Sequence, residues 1–337
     1  MINDITLKNF GPLDHIKWEK LGPLNLIIGG NGSGKTFLLK AMYSAMRTIE
    51  AYRRGDSDET TSEILVKKLR WTFQADKIGD LVKKGTEGNL RYDMHCDQSH
   101  FLYTFGRDTT KQIGNVENNT PKRESNSIFL PAKEVLSLLE IILKSREDDR
   151  VFGFDDTYLD LARALRQSAS RGKNYSVFAE SKKTLENMLG GKIEDRDGSG
   201  NWHFKKGKYR FPLGVTAEGI KKIAILDTLL SNRFLDPQSV ILIDEIESAL
   251  HPSAISDFLD IISTLSDCGI QFFISSHSYF VVKKLFLIAQ EKGISIPVLS
   301  ADGRDWSQSN LKDEMPQNSI ISESIRLYEK EVELSFS

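Results

Sequence analysis

The chain has 337 residues, 39% hydrophobic and 27% charged, an ordinary globular composition that excludes a disordered or low-complexity protein. A formal net charge of −2 supplies no global basic field, so nucleic-acid binding is possible through a local patch but is not indicated by charge. Cys96 and Cys268 stand far apart and fit neither a disulfide framework nor a zinc motif. No run approaches the roughly 20 apolar residues of a membrane span, and the N-terminus lacks the basic-then-apolar order of a signal peptide. A cytoplasmic protein with no membrane partner is expected.

Ile2, Ile5 and Leu7 alternate with polar residues, and the chain turns at Gly11-Pro12 into His15–Trp18, which predicts a short antiparallel pair. Leu24–Ile28 is nearly all apolar and stops at glycines, as a strand covered on both faces does; Thr36–Ile49 then reads as a helix. From Arg53 to Asn126 the sequence is polar, with a helix near Glu63–Phe73, β-like pieces at Leu90–Cys96 and Phe101–Phe105, and an exposed loop over Thr109–Asn126. Ser127–Leu130 reads as a strand, followed by an apolar-periodic helix through Leu143 and helical patterns at Thr157–Gln167 and Val177–Leu189. A hairpin turning at Gly198-Ser199-Gly200 follows. From Thr216 helices and strands alternate: helix to Leu230, strand Val240–Ile243, helix Ser253–Leu265, strand Gln271–Ile274, helix Tyr279–Gln290 and strand Ile296–Leu299. That alternation predicts a parallel sheet.

Gly29-Gly30-Asn31-Gly32-Ser33-Gly34-Lys35-Thr36 matches GxxxxGK[ST] between a buried-type strand and a helix. In that setting Gly29, Asn31, Gly32, Ser33 and Gly34 curl main-chain N–H groups around phosphates, Lys35 reaches the β- and γ-phosphates of ATP, and the Thr36 hydroxyl ligates Mg²⁺. Ser239–Ile243 is an apolar strand ending in Asp244-Glu245, a Walker B pattern with Asp244 on the metal and Glu245 as general base. Acids after a strand also cap helices, but here the chain passes to Glu247-Ser248-Ala249-Leu250-His251-Pro252 instead. Phe272–Ser278 is a strand ending at His277; a lone histidine is more often structural, but in this order it suits a switch that senses the γ-phosphate. Leu213–Lys222 begins a helix with Thr216 as a good N-cap and a glycine at 219 that helix stability would not choose. It is either a capped helix start or a loop whose backbone contacts a phosphate on another subunit.

These motifs, in this order, resemble those of ABC ATPases, with TAEG-IKK as signature and SALH as D-loop. The opening INDITLKNFGPLD and the insertion without a long coiled coil are similar to the RecF/SMC branch, and more narrowly to the stand-alone AAA-family ATPases of bacterial anti-phage systems related to OLD, Septu and PARIS. PAKEVLSL and EMPQNSIISESIRLYEKEVEL also resemble segments of such proteins. The likeness spans most of the chain, tight at the nucleotide motifs and loose between 53 and 210. It implies an α/β fold: an ABC-type P-loop domain (1–52 and 205–305) with an N-terminal antiparallel part, an inserted mainly helical lobe (53–204) and a C-terminal helical extension (306–337). It further implies a head-to-tail ATP-sandwich homodimer or higher oligomer, in which Lys35 and Asp244 of one subunit face Thr216, Glu218 and Gly219 of the other. The signature lacks the SGG core of transporters, and Gln74, Gln98 and Gln112 are candidates for the Q-loop glutamine by position alone, with Lys133 and Glu134 as substitutes.

The expected catalytic set is Lys35, Glu245 and His277. The Toprim nuclease of OLD relatives does not fit in the residues after His277, and Asp302 and Asp305 read as a solvated loop, so a nuclease or toxin output is expected from a separate effector. A DNA-repair or chromosome-maintenance ATPase that clamps duplex DNA is the alternative. The long insertion and missing glutamine disfavour a transporter subunit, and intact Glu245 and His277 disfavour a scaffold that binds ATP without turnover.

Overall fold

The protein is described by a computed structural model covering residues 1–336 apart from 57, 168–175, 196–201, 214–215 and 304. Strands β1 (Ile2–Phe10) and β2 (Leu13–Trp18) pair antiparallel across Gly11, whose φ of 53° suits glycine. The fully buried β3 (Leu24–Gly29) leads into helix α1 (Lys35–Ala51). Helix α2 (Thr61–Phe73) starts at a capping box of Thr60 and Glu63. Strands β4 (Leu90–Cys96), β5 (Ser99–Phe105) and β6 (Asn115–Asn118) then return to β1, giving a five-stranded antiparallel sheet in the order β2-β1-β4-β5-β6. The stretch expected as an exposed loop, 109–126, therefore contains an edge strand. Its burial alternates between exposed and half-buried, so no apolar face announces it.

After β7 (Ser127–Leu130) come helices α3 (Leu139–Leu143), α4 (Asp156–Arg166) and α5 (Ala179–Leu189), then β8 (Lys192–Asp195), β9 (Trp202–Lys206) and β10 (Tyr209–Pro212), which form a small antiparallel sheet. The predicted pairing of β8 with β9 is present; the glycine turn at 198–200 lies outside the described residues. Helix α6 (Glu218–Ser231), β11 (Val240–Ile243), α7 (Pro252–Asp267), β12 (Gln271–Ser276), α8 (Tyr279–Lys292) and β13 (Pro297–Asp302) alternate as expected. The chain ends with β14 (Asp305–Asn310) and α9 (Ser319–Ser335). Asp302 and Asp305 are thus a paired position closing the β13–β14 hairpin rather than a free loop, and 306–337 begins as strand before turning helical.

The main sheet has the order β14-β13-β3-β12-β11-β7, with parallel pairing from β13 through β7. Residues 53–204, expected as an inserted lobe, contribute β4, β5 and β6 to the sheet begun by β1, and β7 to the edge beside β11. The helical part is narrower, from α3 to α5. Alternate residues of the parallel strands face two apolar bodies: Leu26, Ile241 and Ile274 join the cluster shared with α6, α7 and α8, while Ile27, Leu242 and Phe273 join α1 and the antiparallel sheet. Gln271 stitches the sheets together; its Oε1 accepts the Ile2 N–H at 2.8 Å, and its Nε2 donates to the carbonyls of Ile2 and Gly22 at 2.8 and 3.0 Å. Among the described residues no helix is long and apolar enough to cross a membrane.

A buried ionic network ties α1 and α2 to α4. Asp160 accepts from the Tyr43 hydroxyl at 2.5 Å and from Arg47 and Lys68 at 3.0 Å each. Asp156 accepts from Lys68 at 3.1 Å and Arg146 at 2.7 Å, with the Arg146 guanidinium 4.2 Å over the Trp71 ring. Burial opposes the Asp160 charge, but Lys68 and Arg47, with the Tyr43 hydroxyl, outweigh it and hold the carboxyl well below the usual range. A carboxyl depressed in the folded state adds stability that is full above its unfolded pKa, about 3.9, and lost as pH falls toward the folded value. Asp160→Asn is expected to cost about 1–3 kcal/mol in urea denaturation near neutrality, because it removes the carboxylate shared by Arg47 and Lys68, which keep Glu50 and Asp156 as partners. The deficit relative to wild type should shrink as the pH is lowered through that range.

Candidate functional site

Three parallel strands deliver the site to one edge of the main sheet. β3 ends in the glycine loop, β11 ends at Asp244-Glu245, and β12, lying between them, ends at Ser275-Ser276-His277. In the loop, Gly34 has φ 100°, a backbone conformation that favours glycine, and a Cβ there would also push on the Leu13 side chain at 2.6 Å. Gly34 caps α1 without a side chain, and α1 carries no acid in its first turn, so the helix dipole and first-turn N–H groups face an anion without competition. Lys35 is 6% exposed and donates to the Gly29 and Gly30 carbonyls at 2.6 and 2.9 Å, while the buried Ser33 hydroxyl has no hydrogen-bond partner. Burial lowers the Lys35 pKa, against the pull of Glu245, Asp244 and Glu247. A polyphosphate suits this cradle, because it supplies acceptors to the loop and a counter-charge to a desolvated ammonium.

The Asp244 carboxylate is the hub. Its two oxygens accept from the Thr36 hydroxyl at 3.0 and 2.9 Å, and Oδ1 also accepts from the Ser275 hydroxyl at 2.6 Å. One hydroxyl and one carboxylate meeting at the loop are the oxygen donors that Mg²⁺ takes. Next in the chain, Glu245 occupies the left-handed region at φ 46°, a conformation that costs a bulky residue about 1 kcal/mol or more. Both of its main-chain polar groups are pinned by side chains: the N–H donates to Ser275 Oγ at 3.0 Å, and the carbonyl accepts from Lys222 Nζ at 2.8 Å. Burial pushes the Lys222 ammonium down to about 8, despite the nearby Glu247, Asp244 and Glu245. His277 Nδ1 lies 3.8 Å from Glu245 Oε1 and 3.3 Å from Glu247 Oε1, and the His277 N–H donates to Glu247 at 2.8 Å. Water can reach a ring that is 43% exposed.

The structure therefore brings together Gly29, Gly34, Lys35, Thr36, Asp244, Glu245 and His277, while Asn31 and Gly32 lie at the loop's exposed tip. Thr216, Glu218 and Gly219 are elsewhere. Thr216 is not the N-cap of α6; Ala217 holds that place, and the Thr216 hydroxyl turns back to the Pro212 carbonyl at 3.5 Å. Gly219 packs on the D-loop, where a Cβ would come within 2.9 Å of the Ala249 carbonyl and 3.1 Å of Leu250 Cδ2. Glu218 pairs with Lys221, which also donates to Ser137 at 2.9 Å and lies 3.8 Å from Glu134. Lys133 and Glu134, just after β7, line one cleft with Glu218, Lys222, Ser248 and Ala249. Gln74 caps the end of α2, Gln98 sits at the β4–β5 turn and Gln112 precedes β6, so none follows β7. Ser275, Lys222 and Glu247 escaped the sequence reading. A serine inside a wholly buried strand and a lysine within an apolar helical rhythm were the available signals.

Fold and site together define a P-loop nucleotide-binding domain of the AAA type. The chain belongs to the family described as "AAA domain, putative AbiEii toxin, Type IV TA system", whose profile matches residues 99–283, more than half its length. It is similar to a DNA double-strand break repair Rad50 ATPase of Sulfurisphaera tokodaii, 26% identical over 154 residues that cover 43% of this chain and 15% of that protein. It is also similar to an ATP/GTP phosphatase of Helicobacter pylori, 22% identical over 338 residues covering 87% of this chain and 89% of the relative. Among solved structures, an Smc head bound to the C-winged helix domain of ScpA superposes with a TM-score of 0.57 at 15% identity, over 92% of this chain and 97% of that one. The Pyrococcus furiosus Smc head with an extended coiled coil, bound to the C-terminal domain of ScpA, gives 0.52 at 13% identity over 98% of each chain. These likenesses show the fold.

The close approach of Gly219 to the D-loop has a measurable consequence. An alanine in a helix normally gains about 1 kcal/mol over glycine, yet here its Cβ meets main chain, and overpacking of this kind costs about 1–3 kcal/mol. Gly219→Ala should lower the urea midpoint; a raised midpoint would show that the contact with Ala249 is loose.

Proposed function

We propose that the chain hydrolyses ATP at a composite site, closing head-to-tail with a second copy, and that this closure regulates a separate effector such as a nuclease or toxin, in anti-phage defence. The observation that carries the nucleotide reading is the Asp244 carboxylate holding the hydroxyls of Thr36 and Ser275 beside Glu245. The glycine loop and Lys35 would bind the ATP phosphates, and Thr36 with Asp244 would hold Mg²⁺. When bound, the metal supplies neutralisation of phosphate charge. Glu245 takes the proton of the attacking water as general base, and His277 orients that water at the γ-phosphate side. Gly219 and Thr216 are supplied to the other copy's nucleotide; this is supported by Gly219 packing on Ala249 and Leu250 and by the Thr216 hydroxyl turning to the Pro212 carbonyl, rather than to the glycine loop. The effector role is supported by family likeness alone.

A second reading is favoured by the Rad50 relative: an ATPase that clamps duplex DNA in repair or chromosome maintenance. Duplex DNA that raises turnover of the purified protein would select this reading over effector control. Co-purification of a stoichiometric nuclease or toxin with the ATP-loaded protein from its host would select the first.

Both readings require the same site. Lys35→Ala should abolish nucleotide binding in equilibrium titration, and Glu245→Gln should bind ATP normally while turnover falls by about 10²-fold or more. Wild-type turnover in either variant would remove that residue from its proposed role.

A further inference from the structure

On the outer face of the antiparallel sheet, away from the nucleotide motifs, three potential ligands converge. We propose that Asp93, His95 and His100 form a divalent-metal site of the zinc type. His95 and His100 are directly opposite across the β4–β5 ladder, and Asp93 lies two residues before His95, hence on the same face. One ligand atom from each lies within 4.8 Å of the others. The tetrahedral zinc bond lengths of about 2.0–2.1 Å separate ligand atoms by about 3.4 Å, so side-chain rotation alone closes the set. β4 is paired on both sides, to β1 and β5, which holds the backbone under the three side chains in place.

The local chemistry is that of a ligand set rather than a chance encounter of polar groups. The two imidazoles stack with centroids 4.8 Å apart and planes 23° from parallel, which places two nitrogen-bearing rings side by side on the solvated face. His100 Nε2 is already 2.7 Å from Asp93 Oδ1. Arg91 donates to the other carboxylate oxygen at 2.8 Å, orienting Asp93 so that Oδ1 faces the rings, as outer partners of metal-bound carboxylates do. On its other side His95 is registered with Asp4, a further carboxylate of the same face. Two imidazoles and one carboxylate are a borderline donor set, suited to Zn²⁺, Co²⁺, Ni²⁺ or Cu²⁺ and not to Mg²⁺ or Ca²⁺. His95 is exposed, which leaves the remaining coordination position open to water or to an incoming ligand.

The site is independent of the nucleotide chemistry, so its test is too. Chelator-treated full-length protein is titrated with Zn²⁺ calorimetrically, and its Co²⁺ adduct is read by visible absorption. The expected result is one Zn²⁺ per chain, weakened about 10-fold or more by His95→Ala and by His100→Gln, and unchanged by Asp244→Asn. Intense tetrahedral Co²⁺ bands should be lost in the same two variants, and circular dichroism should show both still folded, since the face is solvated. Undiminished one-equivalent binding in His95→Ala, binding lost only in Asp244→Asn, or no binding by the wild type would each overturn the proposal.

Discussion

The carboxylate of Asp244 is the constraint on which the site depends. It ends β11, yet it holds a hydroxyl from α1 and another from β12, so the Walker A helix, the Walker B strand and the intervening strand share one anchor. The strand order makes this possible: β12 lies between β3 and β11, and Ser275 can reach both Asp244 and the N–H of Glu245. Charge-assisted hydrogen bonds of this kind are roughly twice as strong as neutral ones. The hydroxyls also keep the carboxylate oriented toward the loop, where a metal would sit.

The strained backbone at Glu245 follows from that anchor. A left-handed glutamate persists when surrounding contacts over-determine it, and here Ser275 holds its N–H while Lys222 holds its carbonyl. Lys222 stands on α6, the helix whose first turn carries Gly219, and Gly219 in turn rests on the D-loop at Ala249. A displacement of α6 would therefore reach Glu245, the proposed general base, through one side chain. Lys221 ties the same helix to Ser137 and Glu134 after β7, which makes α6 the junction between the helical part and the site.

Much of this was legible in the sequence, and the parts that were not share a physical cause. The glycine loop, the apolar Val240–Ile243 strand with its terminal acids, and His277 announce themselves by local pattern, because a buried parallel strand and a phosphate loop constrain their own residues. The partner of β4 is β1, far away in sequence, and period-two alternation says which face is buried but not which strand is adjacent. That is why the sequence pattern of β4–β6 suggests a separate lobe, and why β6 and β14, with mixed or mostly exposed faces, resemble loop or extension in sequence. Thr216 satisfies the residue preference of an N-cap, yet the cap falls one residue later, at Ala217, without any side-chain hydrogen bond. Ser275 and Lys222 have meaning only through contacts across the sheet, to Asp244 and Glu245.

The composite site is tested most directly by sizing. Glu245→Gln protein, chain mass 38.1 kDa, is run by light scattering with ATP and Mg²⁺ and again with Lys35→Ala added. A doubling of mass that requires ATP and disappears with Lys35→Ala is the predicted result. A monomer at saturating ATP would contradict the shared site.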